Sequence, residues 1–497
     1  MASLSSSLPS SAYLLLMLAA LAVCCSHVRG EQGSHREVDV RSLFPDKVCS
    51  PSNGVVVTLL CLFHLIFFIS SASSNFTTLT VAHRHGPCSP LHHRQVLSHQ
   101  QILERDRFRV DWLHRQISSS PTSTKVKKVV QPQDSAVEAS AIPARSGSSL
   151  DTGNYVVTVG FGTPKRDQTV VFDTGSDVTW IQCQPCASYC YSQQDPIFDP
   201  STSSTYANIS CGSAYCSDLD LFGCSSSTCL YGVQYGDKSY TIGFYAEEKL
   251  TLTDADVIPN FRFGCGEKNR GLFGRVSGLM GLGRNKASLV VQAYQKYGGV
   301  FAYCLPSTSS STGFLTFGSG SGSYSTSSST VKFTPMLTDA SSPSFYFLDL
   351  VAISVGGRRL PISATVFSNA GTIIDSGTVI SRLPPTAYST LRAAFRRGMS
   401  SYKAAASSDS VLDTCYDFTG HTTVSIPTVA LEFGGGVTMD LDLSGILYAL
   451  SQSQICLAFA ANSDDGDEGI VGNVQQRTFT VVYDVSRKVI GFGAGGC

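Results

Sequence analysis

The feature that most constrains this chain is a seven-residue motif that occurs twice. Residues 170–176 read VVFDTGS and residues 372–378 read TIIDSGT, so each apolar strand ends at an aspartate and turns through a glycine. A segment of apolar residues and glycines follows each copy, at 277–283 and at 468–473. A third Asp-Thr-Gly, at 151–153, lacks the apolar strand and the hydroxyl residue and is interpreted as an ordinary turn. Duplication over this length predicts two similar lobes.

The composition favours strands over helices. Charged residues make up only 15% of the 497 residues, and glycine occupies 44 positions. From Tyr155 onward, short β-like runs are separated by Gly, Asn, Asp and Pro. We expect an all-β fold of two lobes, related by a pseudo-twofold axis, with a cleft between them.

The two aspartates predict acid–base chemistry. If the twofold axis brings Asp173 and Asp375 together, repulsion raises one pKa and lowers the other, so the pair shares a proton. Such a pair can deprotonate a water molecule while it protonates a carbonyl oxygen. The residues expected to support the two turns, by tight turning or by hydrogen bonds, are Thr174, Gly175, Ser176, Ser376, Gly377 and Thr378.

The positions of histidine disfavour other catalytic classes. Nine of the ten histidines precede residue 151, and His421 alone lies beyond it. A Ser-His-Asp triad, a Cys-His dyad or a His-rich zinc site in the main body would depend on that one residue. Residues 151–497 carry 22 basic and 28 acidic side chains, which argues against a nucleic-acid surface. These observations argue against a metal site and a nucleic-acid partner, and the two-carboxylate chemistry described above needs no organic cofactor.

Cysteine usage predicts an oxidising compartment. Seventeen cysteines are present, and twelve of them lie between Cys183 and Cys497. An even number in a chain with a signal segment predicts disulfides. Cys183 and Cys186 have the spacing of zinc ligands, but no second CxxC follows to complete a set of four.

The N-terminal region has the features of a leader and a prosegment. Residues 12–25 form an apolar stretch, too short to span a bilayer, that is typical of a signal peptide, which we place at 1–30. A second apolar run at 55–69 leaves several readings open: a peculiarity of the prosegment or of the sequence, a membrane anchor, or an alternative signal. Between Ile102 and Leu113, apolar residues recur near helical spacing.

The duplicated turns resemble those of the pepsin-like aspartic proteases. The resemblance covers about Tyr155 to Cys497 and implies the family's bilobal fold, with an N-terminal lobe at 146–340 and a C-terminal lobe at 341–497. The family's first motif is matched by residues 173–180, which read DTGSDVTW.

The family's flap hairpin is matched by residues 233–239, which read VQYGDKS. By position, Tyr235 and Gly236 would belong to the flap that closes over substrate, with Trp180 bonded to or packed behind Tyr235. The family flap usually has glycine where Lys238 stands, so the mobility of the hairpin tip is open.

The cysteines resemble those of the plant nepenthesin-like group, which has a Cys-rich insertion before the flap, here 183–229. Sequence alone leaves many pairings open. Family positions imply the disulfides Cys183–Cys186, Cys190–Cys265, Cys211–Cys229, Cys216–Cys224, Cys304–Cys497 and Cys415–Cys456. Residues 83–90 and 104–110 also resemble this group's prosegment, which we place at 31–145.

The resemblance implies an aspartic endopeptidase that is made as a zymogen and hydrolyses proteins at acid pH. Its expected partners are polypeptide substrates, its own prosegment and pepstatin-type inhibitors, and it is expected to be a monomer without a membrane attachment. The alternative is a catalytically weak binding protein of the same fold, such as an inhibitor of cell-wall-degrading glycosidases. Such proteins generally lack an intact pair of catalytic turns, whereas this chain has both.

Secretion to the apoplast is expected, with the vacuole and the plastid as open alternatives. Asn208, in Asn-Ile-Ser, is a predicted glycosylation site. Residues 1–150 carry 14 basic and 9 acidic side chains. We therefore expect a basic prosegment to cover an acidic cleft near neutral pH, and its histidines to favour release on acidification.

Overall fold

The computed structural model describes residues 34–44, 48–49, 77–91, 98–118, 155–235, 239–271, 273–318, 331–407 and 411–497. The predicted signal peptide, the apolar run 55–69, and Gly236 and Lys238 of the flap lie outside these ranges. Within them, no helix combines the length and the apolar character that crossing a membrane requires.

Strands dominate the described residues, as predicted. Two strands lie in the expected prosegment, β1 (His35–Asp39) and β2 (Thr77–His83). The first half of the main body contains β3 (Tyr155–Phe161), β4 (Arg166–Asp173), β5 (Trp180–Gln182), β6 (Ala207–Asn208), β7 (Phe222–Ser225), β8 (Thr228–Gln234), β9 (Tyr240–Thr253), β10 (Asp256–Arg270), β11 (Gly278–Gly281), β12 (Val300–Cys304) and β13 (Thr312–Phe317).

The second half of the main body also consists largely of short strands. It contains β14 (Lys332–Leu337), β15 (Phe347–Leu348), β16 (Leu350–Val355), β17 (Arg358–Arg359), β18 (Thr372–Ile374), β19 (Ser381–Leu383), β20 (Lys403–Ala405), β21 (Cys415–Asp417), β22 (Thr423–Pro427), β23 (Val429–Phe433), β24 (Val437–Asp440), β25 (Leu447–Ser451), β26 (Gln454–Leu457), β27 (Phe459–Ala461), β28 (Gly469–Val471), β29 (Thr480–Asp484) and β30 (Val489–Gly493).

The helices are mostly single turns. They are α1 (His99–Ser118), α2 (Ala214–Ser217), α3 (Leu289–Gln292), α4 (Tyr294–Tyr297), α5 (Ala364–Ala370), α6 (Pro385–Gly398), α7 (Leu443–Ile446) and α8 (Asn473–Gln476), with 3-10 turns at Val40–Leu43 and Pro200–Thr202.

Helix α1 contains the stretch from Ile102 to Leu113, where the sequence shows apolar residues near helical spacing. It begins with a capping box: the Gln101 amide donates to Ser98 Oγ (3.2 Å), and the Ser98 amide donates to Gln101 Oε1 (2.9 Å). Its apolar stripe is buried against the second half of the chain, where Ile102 packs near Val379 and Leu113 near Phe347. Burial of that stripe holds the helix against the main body.

The duplicated motif is confirmed as a structural repeat. Strand β4 pairs in parallel with β11, in a register that places Asp173 opposite Gly281. Strand β18 pairs in parallel with β28 in the same way, with Ile374 opposite Val471. Each glycine-containing segment found in the sequence is therefore the strand that lies beside an aspartate-bearing strand, once in each half.

Strand β2, which lies in the expected prosegment, is part of the sheet that joins the two halves. This sheet runs β14-β30-β29-β12-β13-β2-β3, with β2 antiparallel to both of its neighbours. Strand β1 pairs antiparallel with β22, with Val38 opposite Val424. A disulfide between Cys49 and Cys88, which sequence reasoning did not predict, joins residues 48–49 to residues 77–91 within the expected prosegment.

The disulfides correct four of the six predicted pairings. Cys304–Cys497 and Cys415–Cys456 are present as predicted. The remaining bridges are Cys183–Cys265, Cys186–Cys190, Cys211–Cys224 and Cys216–Cys229. The predicted pairs Cys183–Cys186, Cys190–Cys265, Cys211–Cys229 and Cys216–Cys224 are therefore wrong.

Strand pairing gives the physical reason. Cys183 directly follows β5, which lies parallel to β10, so Cys183 is close to Cys265, with a Cα–Cα separation of 5.3 Å. Cys186 then lies in the loop beyond the strand, where Cys190 is its partner. The three-residue spacing of Cys183 and Cys186 does not indicate which of the two lies next to strand β10 and its Cys265.

Candidate active site

The two aspartates lie at equivalent points of the repeat and receive matching hydrogen bonds. Asp173 ends β4 and Asp375 directly follows β18, and each side chain is 1% exposed. Asp173 accepts from the Gly175 amide (3.1 Å) and from Ser176 Oγ (2.6 Å). Asp375 accepts from the Gly377 amide (3.2 Å) and from Thr378 Oγ1 (2.5 Å). Each carboxylate thus accepts from one amide and one hydroxyl of its own turn; the hydroxyl bonds were expected from the sequence, and the glycine amide bonds were not.

The residues between each aspartate and glycine bind the two turns to each other. The Ser376 amide donates to Thr174 Oγ1 (2.9 Å), and the Thr174 amide donates to Ser376 Oγ (3.1 Å). The approach is close enough to require glycine: a Cβ at Gly175 would lie 2.7 Å from a carboxylate oxygen of Asp375. The arrangement brings two buried carboxylates from distant parts of the chain to one place.

Helix α8 supports the second turn from behind, which sequence reasoning did not predict. Asn473 Nδ2 donates to the Ser376 carbonyl (3.0 Å), and Gln476 Nε2 donates to the Asp375 carbonyl (3.1 Å). Both side chains are fully buried. The available signal was Asn473 at the end of the second glycine-containing segment and Gln476 three residues later, because buried amide side chains need partners.

Arg109 of helix α1 lies between the two aspartates. Arg109 Nε and Nη2 donate to the two oxygens of Asp375, both at 2.8 Å. Its Nη2 also donates to Asp173 Oδ1 at 2.6 Å. The Arg109 side chain is 4% exposed, so one buried cation forms ion pairs with two buried carboxylates.

Sequence reasoning predicted a basic prosegment over the cleft and did not identify this residue. The signal was that Arg105, Asp106 and Arg109 fall on the same face of α1 as the buried apolar residues. Charged groups within an apolar stripe need partners on the surface that buries them.

The electrostatics of the site follow from this contact. Burial alone would raise the pKa of Asp375, but the charge and hydrogen bonds of Arg109, with those of Thr378 and Gly377, bring it below its usual value. Burial would lower the pKa of Arg109, and the two carboxylates outweigh this and raise it. The helix therefore favours the ionised form of Asp375.

A further acidic group lies beside the first turn. Asp177 directly follows Ser176, the last residue of the first aspartate turn, and its Oδ1 accepts from the Asn285 amide at 2.9 Å. Burial raises the pKa of this carboxyl to about 6, which the hydrogen bonds from Asn285 and Ser344 only partly offset. Asp177 therefore changes charge between neutral and mildly acid pH.

Two of the predicted flap residues, Tyr235 and Trp180, contact each other beside helix α1. Tyr235 follows β8, and its amide donates to the Ser239 carbonyl (2.8 Å) across the base of the hairpin. Trp180 Nε1 donates to Tyr235 Oη (2.8 Å), and both side chains are buried. Trp112 of α1 packs against Tyr235, with ring centroids 6.2 Å apart. Helix α1 thus contacts both carboxylates, through Arg109, and the ring of Tyr235, through Trp112.

The chemistry available here is proton transfer by two carboxylates in a buried cleft. Among the described residues, no group of three or more His, Cys, Asp or Glu side chains has an arrangement that could hold a metal ion. Asn208 is exposed, as a glycosylation site requires, and its Oδ1 accepts from Tyr206 Oη (2.8 Å).

The sequence of this chain is similar to those of known plant proteins. Models described as the N-terminal and C-terminal parts of xylanase inhibitors match residues 155–319 and 345–494. An aspartyl protease family protein of Arabidopsis thaliana is 47% identical over 97% of this chain and 98% of its own. Aspartic proteinase nepenthesin-2 of Nepenthes gracilis is 34% identical over 83% of this chain and 95% of its own.

The fold has counterparts among solved structures. The crystal structure of edgp superposes with a TM-score of 0.56 at 21% identity, over 68% of this chain and 91% of that one. This likeness concerns the bilobal β fold alone.

Proposed function

Because the chain belongs to the pepsin-like aspartic protease family, within its plant nepenthesin-like group, we propose that Asp173 and Asp375 are its catalytic dyad. The chain is an aspartic endopeptidase, and its substrates are polypeptides. The observation that carries the assignment of the dyad is the matched set of hydrogen bonds on the two buried carboxylates.

The dyad acts on a water molecule held between the carboxylates once Arg109 has left. One aspartate is ionised and accepts a proton from the water as its oxygen attacks the scissile carbonyl carbon. The other is protonated and donates its proton to the carbonyl oxygen, which gives a neutral tetrahedral diol. Collapse of the diol breaks the C–N bond, with a proton transferred to the amine and one returned to the dyad. No covalent bond to the enzyme forms.

The buried contact of Arg109 with both aspartates supports synthesis as a zymogen. In this state the guanidinium occupies the position between the carboxylates, and Trp112 lies against the flap tyrosine. A polypeptide cannot reach the dyad while α1 is in place. Activity therefore requires α1 to leave the cleft, followed by removal of the prosegment, which we place at 31–145.

The same proposal includes a secreted monomer with a signal peptide at 1–30 and a glycan on Asn208. The disulfides in both halves of the chain support folding in the oxidising secretory pathway. The apoplast is the proposed destination, with the vacuole and the plastid as alternatives. The lobes are proposed at 146–340 and 341–497.

The test is proteolysis of a denatured protein by the acid-treated full chain, measured from neutral to acid pH, with and without pepstatin. We expect cleavage at acid pH that pepstatin abolishes. Cleavage that pepstatin does not affect, or that is confined to neutral pH, would contradict the proposed mechanism.

A second candidate function rests on the family models, whose descriptions name xylanase inhibitors. The intact pair of hydrogen-bonded carboxylates favours the enzyme, because an inhibitor needs neither buried aspartate. Measuring xylanase activity with and without the processed protein tests this alternative. Inhibition of the xylanase together with an absence of proteolysis would support it.

A further inference from the structure

A second charged residue of α1 occupies a separate polar cradle. Asp106 lies three residues before Arg109 and is fully buried. Its Oδ1 accepts from the Val379 amide (2.5 Å) and its Oδ2 from the Ile380 amide (3.1 Å). Arg382 Nη2 lies 3.0 Å from the same Oδ2. The carboxylate is therefore bound by two amides and one guanidinium.

All three donors belong to the main body and not to the prosegment. Val379 and Ile380 directly follow the second catalytic turn, and Arg382 lies in β19. Arg382 Nη1 donates to the Ile380 carbonyl (2.6 Å), which fixes the guanidinium beside the two amides. We call these three residues the anion cradle. The cradle remains with the enzyme when α1 leaves.

Departure of α1 changes the charge balance of the cradle. Among the described residues, Arg382 forms its ion pair with the carboxylate of Asp106. The nearby cation Arg109 belongs to α1 and leaves with it. The enzyme then keeps a guanidinium that is 4% exposed in this structure, together with two amide donors. An unpaired cation in such a place is unfavourable, and a carboxylate partner relieves that cost.

We propose that the anion cradle is a substrate subsite that binds the carboxylate side chain of an aspartate or glutamate in the polypeptide being cleaved. This inference rests on the proposed function of the dyad and adds a substrate preference to it. In the zymogen, Asp106 occupies the place of that substrate side chain.

The helix geometry locates the subsite relative to the scissile bond. Three residues of α-helix rise about 4.5 Å. An extended substrate advances about 3.3 Å per residue, so the acidic side chain belongs within about two residues of the cleaved bond.

The experiment uses the processed enzyme, obtained by acid activation of the full chain, and peptides that share one scissile pair. Aspartate or asparagine is placed in turn at the positions on either side of the cleaved bond, and kcat/KM is measured near pH 5, where a free aspartate is ionised. At one position we expect the aspartate peptide to be favored by about tenfold to hundredfold, as a charge-assisted bond implies. Arg382→Gln should lose this preference, whereas Arg397→Gln, at an exposed arginine of α6, should keep it.

The outcomes separate this inference from the proposed function. Equal cleavage of the aspartate and asparagine peptides at every position by the wild-type enzyme would overturn the subsite and leave the protease assignment standing. That comparison needs no variant, so it holds even if Arg382→Gln fails to fold. A preference that survives in Arg382→Gln would also overturn the subsite. Failure to cleave any peptide or any denatured protein would overturn both proposals.

Discussion

Thr174 and Ser376 exchange hydrogen bonds between their amides and hydroxyls across the two halves of the molecule, at 2.9 and 3.1 Å. The pair is buried beneath the carboxylates, so it sets the distance between them. Ser376→Ala removes the acceptor of the Thr174 amide and leaves that donor buried and unpaired, which costs about 1–3 kcal/mol. We expect a lower free energy of unfolding and a reduced kcat. Ser389→Ala, at an exposed serine of α6, is the control, and equal stability of the two variants would contradict this role.

Latency should depend on Arg109. Arg109→Gln leaves two buried carboxylates without their cation, and removing one partner of a buried pair typically costs about 3–5 kcal/mol. The full-length variant should therefore hydrolyse a peptide substrate before processing, at a rate at least about tenfold above the wild-type zymogen. Arg107→Gln, at an exposed position of the same helix, is the matched control and should stay latent. Equal latency of both variants would show that the guanidinium does not block the dyad.

Release of the prosegment should speed up as the pH falls. Burial lowers the pKa of His99, so the contribution of its neutral form to docking is lost as the pH falls through the usual histidine range. The pKa of Asp375 is lowered while α1 is docked, so a second part of the docking free energy is lost at lower pH. The reason is that this carboxyl binds a proton more readily after α1 has left than while α1 is docked. Asp106 has the opposite effect. Burial raises its pKa despite Arg382 and the amides, so acidification stabilises the docked position of α1 at this residue.

We expect the two losses of docking free energy to exceed the one gain, because both His99 and Asp375 favour release on acidification and Asp106 opposes it. His83, His85 and His99 line one cavity of about 500 Å³, and protonation of His99 places a positive charge there. The rate of processing is measured from about pH 7 to about pH 4. His99→Gln should flatten the upper part of the profile, and exposed His35→Gln should not. A rate that is constant over this range would refute the prediction.

Asp177 should make the fold more stable at acid than at neutral pH. The pKa of Asp177 is raised to about 6 in the folded protein. Its contribution to the free energy of unfolding is therefore fully present at a pH below the usual aspartate pKa, and it is lost as the pH rises through about 6. The shift corresponds to at most about 3 kcal/mol. Asp177→Asn keeps an acceptor for the Asn285 amide and should reduce the pH dependence of urea unfolding, measured in an Asp375→Asn background that prevents self-digestion. Superimposable pH profiles for the two proteins would contradict this assignment.

The parts that sequence could predict are those that depend on neighbouring residues. The aspartate turns were identified because an apolar strand, an aspartate and a glycine recur together, and the structure places both turns in one site. The partners of Cys183 and Cys211 were predicted wrongly, because pairing depends on which strands lie side by side. Arg109 was not identified, because its role depends on how α1 docks across the cleft.

The central claim is that two aspartates share the chemistry, and substituting each of them by asparagine tests it most directly. Asp173→Asn and Asp375→Asn preserve shape but remove the ability to exchange a proton at these positions. Each acid-treated variant should cleave a denatured protein at least about a hundredfold more slowly than the wild type. Exposed Asp440→Asn should match the wild type, and unfolding in urea should show that all three variants are folded. Full activity in either Asp173→Asn or Asp375→Asn would contradict the account.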